Sequence, residues 1–169
     1  NAGNNRDRMF ASLSEEDWDA VISVHLKGHF CTSRHAVQYW RDLAKNGEGL
    51  AARIVNTTSG AGLQGSVGQS NYAAAKGGIV SLTYSAAVGL ERYGVRANAI
   101  APVARTRMSE NVPMQLAENG DPEDISPMAV YLLSDNAAHI TGQVYSVVGQ
   151  KIAVWSQPKE IRAMYNDER

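Results

Sequence analysis

Residues 53–60 read Arg53-Ile54-Val55-Asn56-Thr57-Thr58-Ser59-Gly60, a short β-branched run that stops at glycine. A run of this kind, bounded by turn residues, predicts a buried strand over residues 53–58. Gly60, Gly62, Gly65 and Gly68 crowd the next stretch, which reads as a loop. Ser70 then precedes Asn71-Tyr72-Ala73-Ala74-Ala75-Lys76-Gly77-Gly78, and Ile79, Leu82, Ala86 and Leu90 recur behind it at helical spacing. That pattern predicts a helix over residues 71–92, capped by Ser70, packed through the Ile79-Leu82-Ala86-Leu90 stripe and closed by Gly94. Residues 95–101 read as a second strand, stopped by Pro102. A strand, a long helix and a strand imply a right-handed crossover and parallel pairing.

Working outward, Ser14-Glu15-Glu16-Asp17 reads as a helix start, with Ser14 as N-cap and acids in the first turn. Trp18, Ile22, His25 and His29 continue that helix towards Trp40 and Leu43, with a kink at Gly28 and an end at Asn46-Gly47. Downstream, residues 121–133 form a third helical pattern and residues 143–148 a third strand, before a mixed tail with Trp155 and Pro158. The fold class is therefore α/β, a Rossmann-like parallel sheet with helices on both faces. Three parallel strands leave an edge and two faces in need of cover. The expectation is that residues 1–169 form one partial domain, lacking an N-terminal half that is absent or carried on another chain.

Bulk properties narrow the function classes. The chain is 44% hydrophobic and 20% charged with a formal net charge of -1, so no one-signed field points to nucleic acid or an anionic membrane. No run of about 18 apolar residues is present, so a membrane span is not expected. Cys31 is the only cysteine, which excludes an intrachain disulfide and fits a reducing, cytoplasmic setting.

Chemistry concentrates between Ser59 and Lys76. Tyr72 and Lys76 are four apart, which on a helix places them on one face about 6 Å apart along the axis. A phenol ionises near pH ~10, and a neighbouring ammonium favours the phenolate. The pair is a candidate general acid/base. Ser59 follows the strand's C-terminal end, where open α/β sheets hold ligands, and its hydroxyl is placed to orient a substrate oxygen. The small residues around Tyr72 indicate a surface that a ligand or another helix approaches closely.

These motifs resemble the short-chain dehydrogenase/reductase family over essentially the whole chain. Asn1-Ala2-Gly3 is similar to the end of its Asn-Asn-Ala-Gly motif, and Ile54-Val55-Asn56 through Ser59 to the strand bearing the catalytic serine. Ser59 and Tyr72 stand thirteen apart, and Tyr72-Ala73-Ala74-Ala75-Lys76 matches the family signature. Asp121-Pro122-Glu123-Asp124-Ile125 and Ile140-Thr141-Gly142-Gln143 resemble its late helix and last strand. The resemblance implies an oxidoreductase using NAD or NADP, with Tyr72 exchanging the proton and Ser59 orienting the substrate oxygen. It implies that Lys76 lowers the tyrosine's pKa and bonds the nicotinamide ribose, with Asn1 lining the cofactor cleft.

The chain also departs from that pattern. His25 stands where most members carry the asparagine of the relay tetrad, a residue that acts largely through its main-chain carbonyl. Val103 replaces the glycine of a Pro-Gly pair after the strand, and Thr106 is placed to hold the carboxamide. The family's Gly-rich pyrophosphate turn would lie before residue 1, so this chain alone is expected not to hold a whole dinucleotide. Val24-His25-Leu26-Lys27-Gly28, residues 101–108 and Val148-Gly149-Gln150 with Trp155 resemble the dehydrogenase domain of peroxisomal multifunctional enzyme type 2 and its bacterial relatives. That subfamily resemblance implies a (3R)-hydroxyacyl-CoA thioester or steroid-type substrate. The C-terminal Asn166-Asp167-Glu168-Arg169 is no peroxisomal signal.

Three alternatives stand beside this reading. His25, His29, Cys31 and His35 cluster in sequence, yet a metal needs three or four converging ligands, so no metal is expected. A non-catalytic binding protein of the same fold would be expected to have lost Ser59, Tyr72 or Lys76, all of which this chain keeps, and a catalytically impaired fragment is the other alternative. A sugar-nucleotide epimerase would need more chain after Val148. Family members pair two long helices across a two-fold axis, and Ala73, Ala74, Gly77, Ser81 and Ser85 fit such a contact, which implies a homodimer or homotetramer.

Overall fold

Ser14 starts the first helix as its side chain accepts the Asp17 amide at 3.1 Å, with Glu15, Glu16 and Asp17 in the first turn where the dipole favours anions. The computed structural model describes residues 2–49, 51–106 and 120–165. Helix α1 (Glu15–Ile22) widens into a π-turn at Ser23–Lys27 and continues as α2 (Gly28–Lys45). The break expected at Gly28 is thus a π-turn just before it, and Gly28 itself is helical at φ -59 and ψ -45. Gly47 ends the run at φ 81.

Strand β1 (Ala52–Thr57) is followed by a one-turn helix α3 (Gly60–Gln64), the long α4 (Ser70–Leu90) and β2 (Val95–Val103). A short turn at Pro122–Ile125 leads into α5 (Ser126–Leu133), and β3 (Val144–Val148) and β4 (Lys151–Val154) end the described chain's regular structure. The sheet order is β1-β2-β3-β4, with the first two pairings parallel and the last antiparallel.

Adjacent strand residues point to opposite faces, and the two faces carry separate cores. Ala52, Ile54, Val95 and Ala97 pack with Ala87, Val37 and Trp40 from α4 and α2. Ile100, Val147 and the half-buried Val55 pack with Met128 and Leu132 of α5. Helices therefore cover both faces, as the sequence pattern requires.

Several local expectations shift. Residues 60–64 are helical because Ser59 caps them, its Oγ accepting the Ala61 amide at 3.2 Å. Ser70 is the first helical residue, and Gln69, with no side-chain cap, precedes α4. Pro102 lies inside β2, in register with Val147. Its missing N–H costs nothing there, because β1 stops at the level of Ile100 and no described strand pairs with that side of β2 beyond it. The tail supplies a fourth strand: Gly149 turns at φ 53, and the Trp155 indole N–H donates to Ser146 Oγ at 2.6 Å. The buried stripe of α4 is Ala75, Ile79, Thr83 and Ala87, while Leu82, Ala86 and Leu90 border an open groove beside α2.

Candidate active site at the carboxyl rim of the sheet

Thr57, Thr58 and Ser59 leave β1 at the carboxyl end of the parallel strands, facing the first two turns of α4. Lys76 is only 4% exposed and is held from both ends by these residues. Its Nζ donates to the Thr57 carbonyl at 2.8 Å, and its own carbonyl accepts the Thr58 hydroxyl at 2.7 Å. Gly62 explains the run of small residues: a Cβ there would lie 2.5 Å from Gly77 N, so α3 presses directly on the backbone of α4. Gly78 makes the matching room for Leu26 of the π-turn. Close packing by two neighbouring elements accounts for the small residues at Gly77 and Gly78.

Tyr72 is half-buried, one turn before Lys76, whose Nζ lies 5.6 Å from the ring centroid. The Ser59 side chain lies close enough to the phenol to favour its anion. His25 stands edge-on to the Tyr72 ring, with centroids 5.1 Å apart and planes at 88°. Its Nε2 lies 2.8 Å from the Asn4 carbonyl and 3.2 Å from the Asn4 amide, and Nδ1 is buried with no partner among the described residues. His29 donates from Nδ1 to the His25 carbonyl at 2.7 Å and accepts the Thr57 amide on Nε2 at 3.3 Å.

Burial sets the electrostatics. Lys76, withdrawn from water, falls from 10.5 to about 8. The Tyr72 phenol rises because burial disfavours its anion; the Ser59 side chain opposes this and the Asp7 carboxylate adds to it. This differs from the expected downward pull by Lys76, whose ammonium is turned to the Thr57 carbonyl instead of the phenol. Burial also lowers both His25 and His29, and the Lys76 charge adds to the effect, so both favour the neutral ring.

Ser59, Tyr72, Lys76 and His25 thus converge. Val103 ends β2 further along the same rim, and Thr106 is exposed in the segment that follows. Asn1 lies outside the described residues, as do residues 107–108 and 166–169. Cys31 and His35 are exposed, and the described residues contain no group of three His, Cys, Asp or Glu side chains able to hold a metal. Sequence reasoning missed Thr57 and Asn4, which act through main-chain atoms, and took His29 as a residue of the first helix and weighed it as a metal ligand, not as a partner of the site.

The donor set also tests the fit of a nicotinamide cofactor. Lys76 uses one of three ammonium donors on Thr57, leaving two that suit ribose hydroxyls at a buried rim. Among the described residues, Gly62 and Gly77 are taken up by the α3–α4 contact and form no open cradle for a phosphate.

The chain is similar to known proteins over most of its length. A family model described as Enoyl-(Acyl carrier protein) reductase matches residues 1–149. The chain is 51% identical, over 94% of its length and 53% of the relative's, to the hydroxyacyl-CoA dehydrogenase ChsB1 of Mycobacterium tuberculosis. A crystal structure of a short chain dehydrogenase from Mycobacterium avium superposes with a TM-score of 0.83 at 53% identity, covering 99% of this chain and 58% of that one. The full-length peroxisomal multifunctional enzyme type 2 of Drosophila melanogaster gives a TM-score of 0.80 at 30% identity, over 97% of this chain and 29% of that one. The chain spans about half the length of the curated relative it matches at 53% coverage. With its strand-borne serine, its Tyr-x-x-x-Lys helix and these likenesses together, the chain belongs to the short-chain dehydrogenase/reductase family.

Proposed function

We propose that the chain carries the proton-handling half of an NAD(P)-dependent oxidoreductase that interconverts a secondary alcohol and a ketone on a 3-hydroxyacyl-CoA thioester. The observation that carries this is the meeting of Ser59, Tyr72 and the buried Lys76 at one strand end, in a chain 51% identical to a hydroxyacyl-CoA dehydrogenase. In the oxidising direction the carbinol O–H gives its proton to Tyr72, while the C–H bond breaks and its hydride leaves. A nicotinamide bound at this rim supplies the hydride acceptor. Ser59 orients the substrate oxygen, and Lys76, charged at neutral pH with a pKa of about 8 and anchored on the Thr57 carbonyl, offers two N–H groups to a ribose. His25 backs the tyrosine ring. Val103 and Thr106, with Asn1, extend the same reading towards the nicotinamide.

A steroid-type acyl group is the finer version of the substrate reading. The open groove between α2 and α4, lined by Phe30, Val37, Leu82, Ala86 and Leu90, supports pairing of two copies there as a homodimer or within a homotetramer. No described helix is long and apolar enough to cross a membrane, and the single exposed Cys31 suits a cytoplasmic setting.

The decisive experiment compares wild type with Tyr72→Phe in the full-length protein, using a 3-hydroxyacyl thioester and NAD or NADP. Loss of the acid/base group should lower kcat by about a thousandfold. Equal rates would remove Tyr72 from the chemistry. Because oxidation uses the unprotonated phenol, wild-type oxidation should also speed up as pH rises above neutrality.

A further inference from the structure

We propose that His29 is a positioning residue for the Tyr72–Lys76 pair, its imidazole joining the π-turn that bears His25 to the strand end that anchors Lys76. The proposal rests on the reading of Tyr72 and Lys76 as the reacting pair.

The hydrogen bonds of His29 admit one protonation state. The His25 carbonyl only accepts, so Nδ1, 2.7 Å away, carries the proton. The Thr57 amide only donates, so Nε2 at 3.3 Å is bare. Both bonds exist together only in the neutral Nδ1–H tautomer. A protonated ring would set an N–H against the Thr57 N–H, and burial works in the same direction by lowering the group's pKa.

What these two bonds connect gives them their meaning. The β1–β2 ladder uses the Thr58 amide, which donates to Ile100 at 2.8 Å, so by strand alternation Thr57 turns its own N–H and C=O away from β2. Its N–H meets His29, and its C=O receives Lys76 Nζ at 2.8 Å. On the other side, the residue whose carbonyl His29 holds is the one whose ring stands 5.1 Å from Tyr72. A closed circuit results: Tyr72 ring, His25 ring, His25 carbonyl, His29, Thr57, Lys76, and back to Tyr72 one helical turn away. A π-turn widens the helix and perturbs its regular bonding, and such turns recur at functional sites. Here the imidazole spans from the π-turn to the side of β1 turned away from β2. It touches neither Tyr72 nor a position where substrate would react, so it acts through Thr57 and His25. Both nitrogens are engaged, which also leaves none for a metal.

The test uses three substitutions in the full-length protein, since each keeps a different end of the contact. His29→Asn places an amide N–H where Nδ1 stood and keeps the bond to His25. His29→Gln reaches the Nε2 position and keeps an acceptor for Thr57, and His29→Phe keeps neither. The expected result is that His29→Phe lowers kcat about tenfold, as a small misplacement of reacting groups does, with the thioester KM unchanged. Asn and Gln should each restore part of the rate. Deprived of the carbonyl that accepts from its ammonium, the buried Lys76 should titrate below its value of about 8, read both from the alkaline limb of the pH profile and by NMR of its ε-carbon. A lower melting temperature with unchanged kcat and unchanged Lys76 titration would mean a merely structural histidine and overturn the proposal. So would nitrogen NMR showing the Nε2–H tautomer. If wild type failed to oxidise any thioester, the functional reading would fall, while the tautomer and the lysine titration would still decide the role of His29.

Discussion

The two halves of α4 are built from similar small residues for opposite reasons. In the first half, Asn71 and Ala75 are 0% exposed, α3 rests on Gly77, and Leu26 fills the space above Gly78. In the second half, Ser85, Ala86 and Gly89 border an open groove of about 510 Å³ beside α2, and Val88 is 83% exposed. Smallness near Tyr72 is demanded by atoms already in contact; smallness near Gly89 leaves a face open. The same residue class therefore signals a locked site at one end and a vacant surface at the other.

The sharpest way to break this contrast is Gly62→Val. Its Cβ would meet Gly77 N and Lys76 C, both at 2.5 Å, and backbone cannot yield as a side-chain tip can. The cost should exceed about 3 kcal/mol by denaturant unfolding, with loss of activity. A tolerated valine would show that α3 does not press on α4.

Lys76→Met should follow, with the opposite sign. The folded value of Lys76, about 8, lies below its ordinary 10.5, so the folded protein pays for the charged form at neutral pH. That cost is complete below about 8 and fades as pH rises to 10.5, so wild-type stability should climb across this window. Methionine should stabilise the fold at neutral pH by up to about 3 kcal/mol, remove that slope, and abolish turnover. Thermal melts across the window check it.

A smaller effect tests the floor between the two halves. The Asn56 side chain donates to Thr83 Oγ1 at 2.9 Å, both groups being buried. Thr83→Val keeps the shape but strands the amide, and should cost about 1–2 kcal/mol. Gly89→Ala is the mildest and should stabilise by about 0.5–1 kcal/mol, since a Cβ there meets nothing within 4 Å and a helical glycine is costly. Were Gly89→Ala to weaken self-association at constant fold stability, a second copy in the groove would be supported. Were it to destabilise the isolated fold, the groove would not be open.

How far the sequence could be read depended on whether a feature was local. The Ser14 cap, the β-branched run of β1 and the one-turn step from Tyr72 to Lys76 repeat short rules, and each appeared where its residues were. The π-turn at Ser23–Lys27 left no mark, because its residues are ordinary helix formers and the widening accommodates Leu26 against Gly78, fifty-two positions away. Pro102 was misread for a related reason: whether proline ends a strand depends on which neighbour its missing N–H would have met. Of the site, the side chains were legible and the main chain was not. Thr57 and Asn4 contribute carbonyls and amides that every residue possesses, so no residue type announces them.

By itself the amino-acid order determined the α/β class, the parallel crossover and the one-turn step from Tyr72 to Lys76, since helix periodicity and strand geometry are fixed by the backbone over a few residues. Only the tertiary structure decided the balance of charge and contact among them. Burial, a property of the assembled surroundings, raises the phenol and lowers the lysine. Packing at a distance gives Thr57 its two partners and turns His29 from a candidate ligand into a link between strand and helix.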